Sequence, residues 1–450
     1  LAPGSPQSIP LIHGMFKDLA AMYPGPFLHV GADETFDLGM GKTRADVDAR
    51  GLGPVYLDFM QKIVNDLKPL NRKILFWGDI AEKKPELLKA MPQSFKDQTI
   101  IIAWHYNAPA SGNFSKVMKI YTQSGMQFWV APAINNYRQI WPNQQAALLD
   151  IQELTRDGQA AGATGQLNTL WNDDGESLAN MNWYGILFGA AAAWQPGESS
   201  IDAFRTSYGQ AFHGDTTGLI NQAQDELTAA MDTLDKAKVV SRIDGTDGLF
   251  WVDPWSPEGQ AYSAKIRPLN MVVRLHVEHA IQLIQKARYA NPNLREQQAL
   301  DAMDFGARRI DFLCLKFELS DQIIHNFAQA QSTITAGDWR RAKPGVNSLL
   351  GSINGAADAF LKDYTYGYSQ LRDEYEQQWL RTYRPANLRP VLERYDYTVH
   401  TWLARIDKVR VIQNKWRSTQ TLDPFDVTAL GIPAPPAPVA PAPNEVPVKP

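Results

Sequence analysis

From residue 7 to about residue 200, short apolar runs alternate with helical stripes; beyond that point only helical stripes remain. Gln7 to Met22 sets Ile12, Met15, Phe16, Leu19 and Ala20 at helical spacing, and Tyr56 to Leu67 reads as a second helix. Pro26-Phe27-Leu28-His29-Val30-Gly31 is an extended run. Lys73–Trp77, Thr99–Trp104, Gln127–Ala131 and Gln166–Trp171 are four more. Near-continuous apolar strands separated by helices predict a parallel sheet buried on both faces. Gly175 to Trp194 is expected to close this region as an apolar helix, whose run Gly189-Ala190-Ala191-Ala192-Ala193 suits close packing on a sheet.

After Ser199 the strand signals stop. Leu269, Val273, Val277, Ala280, Ile281 and Ile284 follow helical spacing, as do Leu300, Met303, Ala307, Ile310, Leu313 and Phe317. A third stripe is Leu392, Tyr395, Val399, Trp402, Ile406 and Val409. These are amphipathic helices of a bundle. The expected layout is an α/β region over 1–198, a helical domain over 199–430 and a Pro/Ala-rich extended tail over 431–450.

Charge narrows the partners. Lys plus Arg number 44 against 48 for Asp plus Glu, a net −4, so there is no basic footprint for nucleic acid or an anionic membrane. No apolar run approaches the roughly 20 residues of a membrane span. The single cysteine, Cys314, forbids an internal disulfide and a multi-cysteine metal site, and reads as a small buried hydrophobe. Cysteine poverty fits a bacterial or a cytosolic protein, with a bacterial periplasm or exterior preferred. Leu1-Ala2-Pro3-Gly4-Ser5-Pro6 has neither the charge nor the apolar core of a signal peptide. Tryptophan is abundant, at 13 residues; its flat apolar face and single donor suit cores and sugar sites alike. Trp379, Trp402 and Trp416, in helical sequence, are expected in the core.

The chemistry concentrates at His29-Val30-Gly31-Ala32-Asp33-Glu34. Two adjacent carboxylates stand at the C-terminal end of a buried parallel strand, the end that faces the active site in α/β barrels. Neighbouring residues point in different directions, so Asp33 and Glu34 can hold different roles. Asp-Glu recurs at Asp225-Glu226 and Asp373-Glu374, but in helical sequence, where solvation is the expectation.

This segment resembles the His-x-Gly-x-Asp-Glu signature of family 20 glycoside hydrolases, the β-N-acetylhexosaminidases, and Met22-Tyr23-Pro24 resembles that family's lead-in. The resemblance covers roughly residues 1–200; the helical region is similar to a bacterial subset of the family more loosely. It implies a partial TIM (β/α)8 barrel, about strands four to eight, followed by an α-helical domain. It also implies that Trp77, Trp104 and Trp171, at strand ends, wall the pocket for the substrate's acetamido group. Asp173, two positions after the last of them, would hold sugar hydroxyls. Tyr137 is the nearest counterpart of a tyrosine that bonds the acetamido oxygen, although Asn135-Asn136-Tyr137-Arg138 departs from the common Tyr-Leu-Asp.

The implied mechanism is substrate-assisted, an exception among retaining glycosidases. The 2-acetamido carbonyl attacks its own anomeric carbon to give an oxazolinium ion. Asp33 accepts the acetamido N–H and offsets its developing charge; Glu34 protonates the glycosidic oxygen and later deprotonates water. His29 lies within the strand, as a supporting or purely structural histidine. Neither metal nor cofactor is implied, and the partners are N-acetylhexosamine-containing glycans. By the resemblance the acid pair sits on strand four, yet the residues before Phe27 read as a loop and a helix, so the expectation is a fragment of a larger enzyme. A non-catalytic N-acetyl-sugar-binding protein is the competing reading. A chitinase is a weaker one, lacking its spaced Asp-x-Asp-x-Glu pattern around Asp33.

Overall fold

The computed structural model describes residues 1–239, 245–335, 339–361 and 366–422. The expected tail over 431–450 lies outside the described residues. Two compact units account for the chain. The first comprises Leu1–Asn136, Pro142–Trp171 and Asn182–Thr206; the second comprises Tyr137–Trp141, Asn172–Met181 and Ser207–Pro450.

The first unit is built on a parallel sheet of β1 (Phe27–His29), β2 (Lys73–Trp77), β3 (Thr99–Trp104) and β4 (Phe128–Ala131), in that order. The register pairs Leu28 with Ile74, Leu75 with Ile100 and Ile102 with Trp129. Side chains alternate between two faces, as a period of two requires. Leu28, Ile74, Phe76, Ile101, Ala103, Phe128 and Val130 face the helices, packing on Met60, Ile63, Val64, Leu67, Phe95, Met118 and Leu154. Leu75, Trp77, Ile100, Ile102 and Ala131 form the other face, with Trp104, Trp129, Leu167 and Trp171 against them. Gly165 makes room there, since a Cβ would stand 2.4 Å from the Trp129 ring. Helix Ser8–Met22 precedes β1, and helices Leu52–Leu67, Ser115–Ser124 and Gln144–Ala160 lie in the intervals between extended segments. The last is capped by the Asn143 side chain, which accepts the Ala146 N–H at 3.2 Å.

Two expected elements differ. The run Gln166–Trp171 forms only isolated parallel bridges, Val130 to Gln166 and Ala133 to Thr169. Pro132 stands between those bridges and has no N–H to give, so the ladder is interrupted there. Among the described residues the sheet is therefore an open arc of four strands plus these bridges, and an eight-stranded barrel is not formed. The expected helix from Gly175 begins only at Trp183 (Trp183–Trp194). Before it, Asn172 Oδ1 accepts the Ser177 N–H at 2.8 Å and Asp174 Oδ1 accepts the Glu176 N–H at 3.0 Å. Such side-chain acceptors offer the backbone an alternative to helix.

In the second unit the three stripes lie on helices Asn270–Ala290, Gln297–Thr335 and Leu388–Thr419, their apolar positions in one core with Phe250, Phe312, Phe360, Tyr368 and Trp402. Cys314 is fully buried in it, and burial raises its thiol pKa. Trp379, Trp402 and Trp416 are buried as well. Lys316, also buried, donates to the carbonyls of Leu249, Phe250 and Val252 at 2.7–2.8 Å, satisfying the end of helix Gly245–Trp251. Glu176 is the most deeply buried of this unit's described acids. Its carboxylate accepts from Arg309 at 3.1 Å and from Arg394, and Arg394 also reaches Asp247 at 3.2 Å. Burial and then Asp247 push the Glu176 carboxyl up, while the two guanidiniums pull it back. Removing one partner of such a cluster leaves a buried charge uncompensated. Arg309→Met is expected to cost about 3 kcal/mol in urea unfolding followed by tryptophan fluorescence. Adding Glu176→Gln should recover most of that loss; no recovery would assign the loss to packing instead.

Candidate active site

The site grows from the end of β1. Val30 N–H still donates to Leu75 O at 2.8 Å, and Gly31 O accepts the Trp77 N–H at 2.9 Å. The chain then leaves the sheet through left-handed backbone: φ is +72° at Gly31, +73° at Ala32 and +45° at Glu34. For residues with a Cβ this costs on the order of 1–3 kcal/mol each and persists only where neighbours enforce it. Here the Tyr56 hydroxyl donates to Ala32 O at 2.9 Å, and an Asp79 oxygen accepts the Glu34 N–H at 3.3 Å.

His29 shows what burial does to a titratable ring. Gly31 N–H donates to its Nδ1 at 3.0 Å, so the proton belongs on Nε2, which is buried without a partner. The ring lies 4.4 Å from that of Trp77. Burial lowers its pKa from 6.5 to about 4, against a smaller upward pull from Asp33. His29 is a neutral N–H donor at neutral pH.

Asp79, which the sequence reading passed over, follows β2 as Trp77-Gly78-Asp79. Burial raises its pKa, opposed by the Glu34 N–H and by Lys83 at 3.6 Å. Gly78 is required between them: a Cβ would meet Tyr121 Oη at 2.6 Å and Ile102 O at 2.7 Å. A carboxylate two residues past a strand-end tryptophan was the available signal.

The three indoles named from sequence belong to this unit. Trp77 ends β2 and is buried; Trp104 ends β3; Trp171 follows the bridged run. Trp77 and Trp171 stand 5.9 Å apart between ring centres. Tyr106, also missed from sequence, joins the other pair. Its ring is 5.0 Å from that of Trp104, and its Oη accepts the Trp171 Nε1–H at 2.8 Å. Burial raises the Tyr106 pKa, and the Asp33 charge contributes to the shift.

The arrangement divides the predicted residues. His29, Trp77, Trp104 and Trp171 gather with Tyr106 through ring contacts and the hydrogen bond above. Glu34 is exposed and lines a cavity of about 670 Å³ with His29, Thr35, Phe36, Met40 and Phe59; none of the three tryptophans lines that cavity. Tyr137 and Asp173 belong to the second unit, Tyr137 half-buried and Asp173 exposed. Among the described residues, no group of three or more His, Cys, Asp or Glu side chains could hold a metal ion, and no helix is long and apolar enough to cross a membrane.

Comparison with solved structures gives distant likenesses. The β-N-acetylhexosaminidase from Bacteroides fragilis NCTC 9343 matches at 18% identity and a TM-score of 0.35, over 47% of this chain and 44% of that one. A glycoside hydrolase of family 138, an enzyme targeting pectin rhamnogalacturonan II, matches at 9% identity and a TM-score of 0.39, over 94% of this chain and 67% of that one. The match thus spans less than half the length of the hexosaminidase chain. No family profile and no curated protein matches the sequence.

The depressed His29 pKa has a checkable sign. The unfolded ring binds its proton near 6.5 and the folded one only near 4. Its contribution to stability is therefore complete above pH 6.5 and lost as pH falls through 4. Long-range ¹⁵N NMR should show His29 as the neutral Nε2–H tautomer from about pH 5 to 8; an imidazolium at about pH 6 would overturn this.

Proposed function

We propose that the chain carries the catalytic face of a glycoside hydrolase that releases terminal β-linked N-acetylhexosamine from glycans. The observation that carries this reading is the strand-end grouping: an adjacent Asp33-Glu34 pair just past β1, with tryptophans ending β2 and β3 and a third after the bridged run. In this reading the sheet and the bridged run are strands four to eight of a (β/α)8 barrel, whose C-terminal ends carry the chemistry.

The roles follow from the groups. The substrate's acetamido oxygen attacks the anomeric carbon as the glycosidic C–O bond breaks. Glu34 gives its proton to the departing oxygen, and its carboxylate then takes one from the water that opens the oxazolinium ring. Asp33 accepts the acetamido N–H, which gains positive charge as the ring closes. Trp77, Trp104 and Trp171 hold the acetamido arm in the attacking orientation, where intramolecular geometry supplies much of the rate. Glu34 lines the cavity into which the proposed leaving group would extend. The buried His29 Nε2–H supports a neutral donor beside Trp77.

Hydrolysis of aryl β-N-acetylglucosaminides tests the assignment. Glu34→Gln should lower kcat by about 10²–10⁴ for a poor leaving group and far less for 2,4-dinitrophenyl, which needs no protonation. Asp33→Asn should lower kcat more than it raises KM. Equal losses from Glu34→Gln across leaving groups would remove the acid role. Calorimetric binding of N-acetylglucosamine without turnover would put the sugar-binding reading in its place.

A further inference from the structure

We infer that Tyr106 is the positioning residue of the indole recess, setting the gap between Trp104 and Trp171 and with it the size of N-acyl group the site accepts. The ligand in this statement rests on the proposed N-acetylhexosaminidase reading; the positioning does not.

The backbone ties Tyr106 to two neighbouring segments. Tyr106 follows β3 as Trp104-His105-Tyr106. His105 N–H donates to Ala131 O at 3.2 Å, and the Asn135 side-chain amide donates to Tyr106 O at 3.0 Å. The residue is thus tied to the end of β4 and to the segment after it. Trp171 is held by the neighbouring position, since its backbone N–H donates to Asn136 Oδ1 at 3.0 Å. Consecutive asparagines therefore fix Tyr106 and Trp171 relative to one another.

The side chains complete the frame. An indole has one donor, and that of Trp171 is spent on Tyr106 Oη at 2.8 Å. With its other neighbour Trp77 at 5.9 Å, the plane of Trp171 is set at two points. Trp104 has no such anchor. Its Nε1 is buried without a hydrogen-bond partner, so packing alone orients it, with the Tyr106 ring at 5.0 Å and 37°. One phenol thus serves two walls: its oxygen holds Trp171 and its face backs Trp104. Burial keeps the phenol protonated, so the frame does not titrate at neutral pH. Tyr106 is half-buried, whereas Asp33, whose charge it feels, is the residue proposed to take the acetamido N–H.

Tyr106→Phe keeps the ring and removes the hydroxyl, and with it the Trp171 anchor and the side-chain hydrogen bond with Thr169. The full-length chain carrying it should melt within a few degrees of the parent. The Trp171 indole N–H resonance, assigned by its loss in Trp171→Phe, should move upfield and exchange faster with water. With aryl glycosides bearing N-acetyl or N-propionyl groups, KM for the N-acetyl substrate should rise by up to about tenfold, the scale of one lost hydrogen bond, with a smaller change in kcat. The preference for N-acetyl over N-propionyl should narrow. In a Trp171→Phe background the same change should have little further effect, because its target is gone. A wild-type KM and acyl preference in Tyr106→Phe overturns the inference, as does an unmoved indole resonance. If the parent chain neither binds nor hydrolyses N-acetylhexosaminides, the functional reading falls by itself. The indole resonance then decides the positioning of Trp171 independently.

Discussion

The parallel register between β1 and β2 is the constraint on which the site depends. Phe27 pairs with Lys73 and His29 with Leu75, so β2 runs two residues past the end of β1, and the last side chains of the two strands, His29 and Trp77, share one face. A slip of one residue would turn His29 toward the helices and bring Leu28 to the tryptophans. The slip is opposed because Leu28, Ile74 and Phe76 bury themselves among Met60, Ile63 and Phe95 on the helical side. Hydrophobic burial on the helical face thus sets the geometry of the face that carries the candidate site.

The strands were legible in the sequence because they are apolar on both faces. Lys73–Trp77 and Thr99–Trp104 stand where their runs place them. Burial on two sides leaves little choice of residue, and the pattern is correspondingly plain. The bundle stripes were legible for the converse reason: one buried face of a long helix repeats often enough to be counted. The failures lie where local chemistry outweighs periodicity. Gly175 to Asn182 is apolar enough to suggest helix, but Asn172 and Asp174 capture its amides and Glu176 is drawn to Arg309 and Arg394. The run to Trp171 has strand composition, but Pro132 breaks the ladder it would join.

The candidate site was legible only as far as it is carried by strand ends. Asp33, Glu34 and the three tryptophans could be named because each follows an apolar run. Tyr106 could not, since nothing in Trp-His-Tyr announces a partner, and Asp79, marked by its place two residues past Trp77, gave no sign of which amide it would accept. The Trp171 indole lies 65 positions beyond Tyr106, and the Glu34 amide 45 positions before Asp79. Their roles exist only once the parallel register brings successive strand ends together. Periodicity reports which face a residue occupies; it does not report which loop residue meets which.

The chain contains three Asp-Glu dipeptides, and their surroundings differ. Glu226 lies on helix Leu219–Lys236 and is shared by His276 at 2.5 Å and His279 at 2.8 Å. Asp373 lies on helix Tyr368–Thr382, against Arg372 at 3.2 Å. Glu176, the deeply buried acid, has two arginines. Each of these carboxylates is matched by a basic group, as stability asks of a charge that does no other work. Among the described residues, neither Asp33 nor Glu34 has a salt-bridge partner, and the backbone presenting them is held in left-handed conformation by Tyr56 and Asp79. Asp33 and Glu34 thus differ from Glu226, Asp373 and Glu176 in lacking a basic partner, as does the buried Asp150, whose carboxylate accepts the Ala133 N–H at 3.1 Å, but of these only the Asp33-Glu34 pair is presented on left-handed backbone. That contrast, rather than the dipeptide itself, is what the proposed catalytic role of Asp33 and Glu34 draws on. It is visible only when the partners of every acid are known, which the order of residues along a chain does not disclose.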